Sequence, residues 1–340
     1  MIPLPEGPLG RYLDGLGVPA GVITWRRIGD GQANLTYEVT RGGDRMVLRR
    51  GPRPPFPPSA HDMVREARFV AAMGRAGVPV PRVRTVCESP DVIGVPFYLM
   101  DLVDGHVVTD VLPPGFDAPG AGAATVEAAV DALAALHSVP LEGEVAALGR
   151  PDGYLERQVR RFAQLWPLNT RRDLPKVARV GERLAATVPV TSRRAVVHGD
   201  YRLGNLMFAA PGRVAAILDW EMAALGDPLA DLGYLVATYS QDGWPATPMD
   251  LTPVTAAPGF PARADLVARY AVHTQADLAA LAWYEALALW KSAIFCEAMY
   301  TRWLDGQRPG DDFAPTLVTG VPALADAAAE ALARLEKGST

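Results

Sequence analysis

Cysteine is nearly absent from this chain of 340 residues, which carries two, Cys87 and Cys296. They lie far apart, each alone in an apolar stretch, so a disulfide framework and a zinc-binding spacing are both excluded. The expected compartment is a reducing cytoplasm. An excess of positive charge is missing too, since 33 basic side chains face 38 acidic ones for a net charge of −5. That balance does not supply the field that binding a polyanion needs, which excludes nucleic acid as a main partner. Long hydrophobic runs are also lacking, because charged residues interrupt every apolar stretch before about 18 residues. The start, Met1-Ile2-Pro3-Leu4-Pro5-Glu6, has no cationic segment followed by an apolar run. Neither a membrane span nor a signal peptide is expected. Aromatics are only 8% of the chain, yet hydrophobic residues make up 49%, which excludes disorder.

The length fits about two domains of ~150 residues, or one bilobal domain. In the first hundred residues Val22 to Arg27, Thr36 to Arg41, Arg45 to Arg50 and Val95 to Asp101 are short, partly alternating and separated by turn residues. They predict strands, with a hairpin turn at Gly42-Gly43-Asp44. Between them Ser59 reads as a helix cap, followed by an apolar period through Val64, Ala67, Phe69, Val70 and Met73. The proline cluster from Pro52 to Pro58 reads as a stiff loop. Beyond Asp104 the chain turns alanine- and leucine-rich, predicting helices at Thr125 to His137, Gly153 to Trp166, Lys176 to Ala186, Arg263 to His273, Gln275 to Trp303 and Leu324 to Leu335. One segment interrupts them: Ala195 to Asp219 reads as loop, short strand, turn at Pro211-Gly212 and a second strand, Val214 to Leu218. Asp227-Pro228 then caps and opens the next helix.

Polar residues concentrate in that interruption. The run His198-Gly199-Asp200-Tyr201-Arg202-Leu203-Gly204-Asn205 is followed, fourteen residues after Asn205, by Asp219 at the end of an apolar strand. Phosphoryl transfer needs a carboxylate to orient the attacking hydroxyl and accept its proton. It also needs an amide oxygen and a second carboxylate to hold magnesium. Asp200, Asn205 and Asp219 supply those groups, with Asp200 as base and Asn205 and Asp219 as metal ligands. His198, Asp200 and Asn205 have the offsets of a kinase catalytic loop. His198 itself reads as a packing and hydrogen-bonding residue.

These motifs resemble the aminoglycoside phosphotransferase and choline kinase superfamily, small-molecule relatives of the protein kinases, and the resemblance extends over most of the chain. It implies an α+β, protein-kinase-like two-lobed fold. Residues 1–104 would form a small sheet-rich nucleotide-binding lobe, and residues 105–340 a helical lobe with the catalytic loop, metal site and acceptor site. ATP or GTP with Mg2+ would lie in the cleft. The resemblance further implies that Asp231, in Gly226-Asp227-Pro228-Leu229-Ala230-Asp231, bonds backbone amides of the catalytic loop. Gly29, Gly31 and Asn34, in a glycine turn between two strands, would let backbone N–H groups approach phosphate oxygens; a plain hairpin turn is the competing reading. Arg49 sits where kinases place the strand lysine and would contact phosphate, with Glu66 as its ion-pair partner. Arginine keeps the charge but changes reach and fork geometry. Strand alternation puts Val47 and Arg49 on one face and Arg50 on the other. Backbone near Met100 and Leu102 would meet a purine ring.

Only twelve positions separate Asp219 from Asp231, and Trp220-Glu221 follows the metal aspartate. An activation loop with a peptide platform does not fit, so the acceptor is a small hydroxylated molecule. Arg157, Arg160 and Arg161 fall near one helix face, with Arg171 and Arg172 close behind. Arginines suit an anionic acceptor; a solvated helix face is the competing reading. The segment resembles the branch of the family found fused to acyl-CoA dehydrogenases, which implies hydroxyacyl thioesters as acceptors. Trp283, Tyr284, Trp290, Tyr300 and Trp303 read as core, and Trp244 as the aromatic at the pocket. Two alternatives stand beside the small-molecule kinase: a non-catalytic nucleotide-binding scaffold, and an aminoglycoside-modifying resistance kinase.

Overall fold

The computed structural model describes residues 3–29, 34–52, 62–191 and 193–338. In chain order its elements are α1 (Glu6–Gly15), β1 (Thr24–Ile28), β2 (Leu35–Arg41), β3 (Asp44–Arg50), α2 (Met63–Arg75), β4 (Val83–Cys87), β5 (Phe97–Asp101) and α3 (Ala121–His137). Then come α4 (Gly143–Ala146), α5 (Tyr154–Asn169), α6 (Pro175–Ala186), β6 (Ala195–Val197), β7 (Leu206–Ala210), β8 (Arg213–Ile217), β9 (Ala224–Gly226), α7 (Leu229–Thr238), α8 (Arg263–Thr274), α9 (Leu281–Leu304) and α10 (Leu317–Gly338). The chain forms two compact units, one of residues 1–104 with 215–223, the other of 105–214 with 224–340.

The first unit is built on a five-stranded sheet of order β1-β2-β3-β5-β4, antiparallel throughout. Alternation along β3 sorts its side chains. Met46 and Leu48 join a core with Leu9 and Leu13 of α1. Val47 faces the other way, packed with Met63 and Ala67 of α2 and with Tyr98 and Met100 of β5. Each such buried side chain contributes about 1.5–3 kcal/mol. Arg50, on the α1 side, is buried and donates to the carbonyls of Gly51 (3.0 Å) and Ile93 (3.3 Å).

Two elements here differ from the sequence reading, which has neither α1 nor β4. The first turn-rich helix, EGPLGRYLDG, contains three glycines and a proline. Its local propensity is poor, and burial of Leu9 and Leu13, both at 0% exposure, holds it. Strand β4 is half-buried and its register with β5 shifts between Val83 and Thr85, which hides the alternation. The helix expected after Ser59 begins at Met63, capped by Asp62, whose carboxylate accepts from Arg65 N at 2.9 Å. Ser59 and the prolines at 54, 55, 57 and 58 lie outside the described residues.

The second unit is mainly helical. Within it a short ladder of β6 with β9 carries part of the segment that interrupts the helices. Helix α9 packs on α7 and α10. At Gly233 of α7 an added Cβ would lie 2.7 Å from the Tyr284 backbone of α9, so only a residue without a side chain permits this approach. Trp283, Tyr284 and Trp290 are buried in this core.

Helix α10 starts at Leu317, seven residues before the expected Leu324, and Pro322 lies inside it. A proline within a helix leaves the carbonyl four residues earlier without its amide. That carbonyl belongs to Val318, and Arg172 Nη1 donates to it at 2.8 Å. By length and composition Ala314–Leu335 would suffice to cross a membrane, whereas the sequence reading expects no apolar stretch of that length. Its Leu317, Val321, Leu324, Ala328 and Leu332 are buried within this unit. Helix α9 begins at Leu281, six residues after the expected Gln275, which instead ends α8 at φ +51°.

Candidate active site

The first unit holds one half of the candidate residues. In β3, Arg49 stands opposite Thr36 of β2 and Tyr98 of β5. Its Nε is 2.6 Å from Glu66 Oε1, Nη1 donates to Thr36 Oγ1 at 3.3 Å, and Nη2 is ion-paired with Asp219. Tyr98 donates its hydroxyl to Glu66 Oε1 at 3.0 Å. The structure thus joins Arg49, Glu66 and Asp219, one guanidinium between two carboxylates. Burial pushes the Glu66 carboxyl up to about 7, against the pull of Arg49. The Arg49 guanidinium is held firmly charged, since its carboxylates outweigh the cost of burial.

Asp219 has φ +64°, a left-handed conformation uncommon outside glycine. Non-glycine residues held there cluster at functional sites. Asn34 is buried, and its Nδ2 donates to Glu221 Oε2 at 2.6 Å. Gly29 takes φ +73° just after β1. Gly31 lies outside the described residues. Met100 is buried and Leu102 partly buried, both in the apolar cluster of Val47 and Tyr98.

The second unit carries Asp200 and Asn205. Asn205 donates Nδ2 to Asp200 Oδ2 at 2.7 Å and to the Asp200 carbonyl at 2.8 Å. This commits the nitrogen of the amide and leaves its oxygen for a cation. The loop is clamped from α7, where Asp231 Oδ2 accepts from His198 N at 2.6 Å and Oδ1 from Gly199 N at 2.7 Å. His198 is fully buried, and its Nδ1 accepts from Asp200 N at 3.3 Å. A buried carboxylate satisfied by two amides fixes loop geometry at the point where Asp200 departs. The sequence reading gives no role to His137, whose Nε2 lies 3.1 Å from Asp231 Oδ2 and whose Nδ1 lies 2.7 Å from the Tyr270 hydroxyl. Nor does it single out Tyr234, one turn along α7, whose ionisation is suppressed by burial first and by the Asp200 carboxylate further. Asp227 takes its expected capping role, accepting from Leu229 N at 2.9 Å.

The five arginines proposed for the acceptor divide. Arg157, Arg160 and Arg161 share one open surface on α5, although Arg157 Nη2 is spent on the Arg150 carbonyl at 2.7 Å. Arg171 pairs with Asp305, its Nη2 lying 2.8 Å from Oδ2. Arg172 pairs with the fully buried Glu297, its Nε 3.1 Å from both oxygens, and lies 4.3 Å over the Tyr300 ring. Arg172 is thereby a structural cation, which corrects the expectation for it, and Arg171 makes an exposed surface pair. Trp244 is the platform under Arg263, at 4.3 Å, and Arg334, at 5.4 Å.

Residues 24–284 match the phosphotransferase enzyme family (APH), and the chain belongs to it. A mouse protein, acyl-CoA dehydrogenase family member 10, is 36% identical over 240 residues, covering 69% of this chain and 22% of that protein. Human acyl-CoA dehydrogenase family member 11 is 30% identical over 315 residues, 90% of this chain and 40% of its own length. This chain therefore spans two fifths or less of those relatives. Among solved structures, a Ralstonia eutropha protein assigned as an aminoglycoside phosphotransferase superposes with a TM-score of 0.79 at 26% identity, covering 98% of this chain and 99% of that one. A thermostable mutant of aminoglycoside phosphotransferase APH(4)-Ia, solved with AMP-PNP and hygromycin B, shares the fold at a TM-score of 0.60, with 18% identity and coverage of 94% and 98%. The α+β, kinase-like fold is thereby shown: a five-stranded antiparallel sheet followed by a mainly helical part.

Proposed function

We propose that the chain transfers the terminal phosphoryl group of ATP or GTP to a hydroxyl of a small molecule. The observation that carries this reading is the Asn205–Asp200 pair, in which one carboxylate is held by a neighbouring amide inside a loop pinned by Asp231. Asp200 orients the acceptor hydroxyl and takes its proton, and transfer is direct, without a phosphoenzyme. Each of the two candidate ligands suits magnesium by the chemistry of its own donor atom. Asn205 offers an amide oxygen and Asp219 a carboxylate in a left-handed backbone conformation, a hard oxygen donor set. Asn205 and Asp219 would hold the ion, which when bound neutralises charge on the phosphates. Arg49 binds phosphate oxygens, oriented for it by Glu66, and the backbone near Gly29, Asn34, Met100 and Leu102 takes the rest of the nucleotide.

The acyl-CoA dehydrogenase relatives support hydroxyacyl compounds as acceptors. Free thiols at both cysteines support a reducing, cytoplasmic setting. A second reading, a nucleotide-binding scaffold without turnover, draws on the ion pairs that Arg49 already makes with Glu66 and Asp219. Nucleotide hydrolysis separates the two. Slow ADP release by the wild type that vanishes in Asp200→Asn supports transfer, and none in either protein, with nucleotide bound, supports the scaffold.

A further inference from the structure

The loop that carries Asp200 and Asn205 also carries one arginine, Arg202. The backbone there is extended, at φ −153° and ψ 162°, so successive side chains leave on opposite sides. Tyr201 goes inward, fully buried, with its hydroxyl donating to the Ala129 carbonyl at 2.7 Å. Arg202 leaves on the other side, and its Nε lies 3.8 Å from Asp200 Oδ1. At that distance the two form an ion pair without a hydrogen bond.

Among the described residues the guanidinium donates no hydrogen bond and has no second ion-pair partner, although its side chain is only 24% exposed. Gly204 gives it room. A Cβ at that position would fall 3.0 Å from Arg202 Cζ and closer still to Nη1, with Thr109 Cγ2 at 3.2 Å. Asp200 Oδ1 is itself buried without a hydrogen-bond partner, since Asn205 is spent on Oδ2. An ordered cation with unused N–H groups, beside an unused carboxylate oxygen, calls for a polar group that the loop does not supply.

We propose that Arg202 is a further catalytic residue, donating N–H bonds to the oxygens of the phosphoryl group in transit while Asp200 Oδ1 takes the proton of the acceptor hydroxyl. The assignment rests on phosphoryl transfer with Asp200 as base. In that step the acceptor oxygen bonds to phosphorus, the bond from phosphorus to the nucleoside diphosphate breaks, and negative charge spreads over the three equatorial oxygens. The hydroxyl lies about 2.6–3.2 Å from its base and about 3–3.5 Å from the phosphorus it attacks. A guanidinium 3.8 Å from the base therefore has those equatorial oxygens within hydrogen-bond reach. Its planar, permanently charged fork suits them.

Aluminium fluoride, a mimic of the phosphoryl group in transit, tests this without an acceptor. Wild type, Arg202→Met, Arg202→Lys and Gly204→Ala are unfolded thermally with Mg-ADP alone and with Mg-ADP plus aluminium fluoride, and slow ADP release from Mg-ATP in water is followed on the same preparations. Gly204→Ala keeps the arginine but displaces its guanidinium. Aluminium fluoride should raise the wild-type midpoint above that with Mg-ADP. Arg202→Met should lose this added rise, keep the Mg-ADP shift, and release ADP about 10²–10³-fold more slowly at little-changed KM. Arg202→Lys should recover part of both, and Gly204→Ala should lose both in the same direction. A role confined to structure would lower the ligand-free midpoint and leave the added rise intact, which overturns the assignment, as does ADP release at the wild-type rate in Arg202→Met. If Arg202→Met does not fold, Gly204→Ala decides by the same two outcomes. A wild type that binds Mg-ATP but shows no added rise overturns only the assignment of Arg202, whereas no shift with Mg-ATP or Mg-ADP overturns phosphoryl transfer and Arg202 with it.

Discussion

Asn205 gives both hydrogens of its side-chain amide to Asp200, one to the carboxylate at 2.7 Å and one to the carbonyl at 2.8 Å. The orientation of the amide is fixed by those two bonds, so its oxygen faces away from Asp200. On the proposed roles, with Asp200 as base and Asn205 as a metal ligand, this asparagine would link proton transfer to metal binding. Asp200→Asn should lower turnover by about 10²–10⁴-fold, the usual worth of a general base, while the thermal shift with Mg-nucleotide is kept. ADP release and thermal unfolding on the same preparation check both halves; full turnover in the variant would remove Asp200 from its role.

The clamp behind the loop makes a separate prediction. Asp231→Asn turns an NH2 group toward the amide of His198 or Gly199, leaving a buried donor unmatched. The expected cost is about 1–3 kcal/mol, measurable as a lower urea midpoint with unchanged slope. Turnover should fall as well, since the catalytic loop loses its anchor.

Glu66 predicts a pH dependence. Its folded carboxyl, near 7, is raised from an ordinary 4.5, so the folded protein binds this proton more readily than the unfolded chain does. Stability should therefore fall as pH rises from about 4.5 to 7, with a slope of at most about 1.4 kcal/mol per pH unit, and level off above. In Glu66→Gln this slope should disappear from urea unfolding measured across the range. An unchanged slope would assign the proton to another group.

Arg172 joins Glu297 to the carbonyl that Pro322 leaves open. Arg172→Met should destabilise by about 3–5 kcal/mol, because a fully buried carboxylate loses its partner. Replacing both, Arg172→Met with Glu297→Met, should recover much of that loss, which a double-mutant cycle in urea would resolve.

The clamped loop was legible because its pattern is local: His198 to Asn205 lie on one short segment, and Asp231, which accepts from His198 N and Gly199 N, follows at the next helix. The pairing of Arg49 with Glu66 was legible through the family resemblance, and strand alternation gave only the face of β3 that Arg49 occupies. What the sequence hid depends on distant contacts. Arg171 and Arg172 look like solvent-seeking cations beside Arg157 to Arg161, and only the packing of α9 and α10 shows them spent on Asp305, Glu297 and a helix carbonyl. Pro322 looks like a helix stop, and the guanidinium that lets α10 run through it comes from 150 residues upstream.

The proposed magnesium-nucleotide site depends on Asp219. Thermal unfolding with and without Mg-ATP and Mg-GTP, in wild type and Asp219→Ala, tests it without any acceptor, because a ligand that binds the native state raises its apparent stability. The expected result is a higher midpoint that needs both magnesium and Asp219. No shift in the wild type at millimolar nucleotide, or an equal shift in Asp219→Ala, would contradict it.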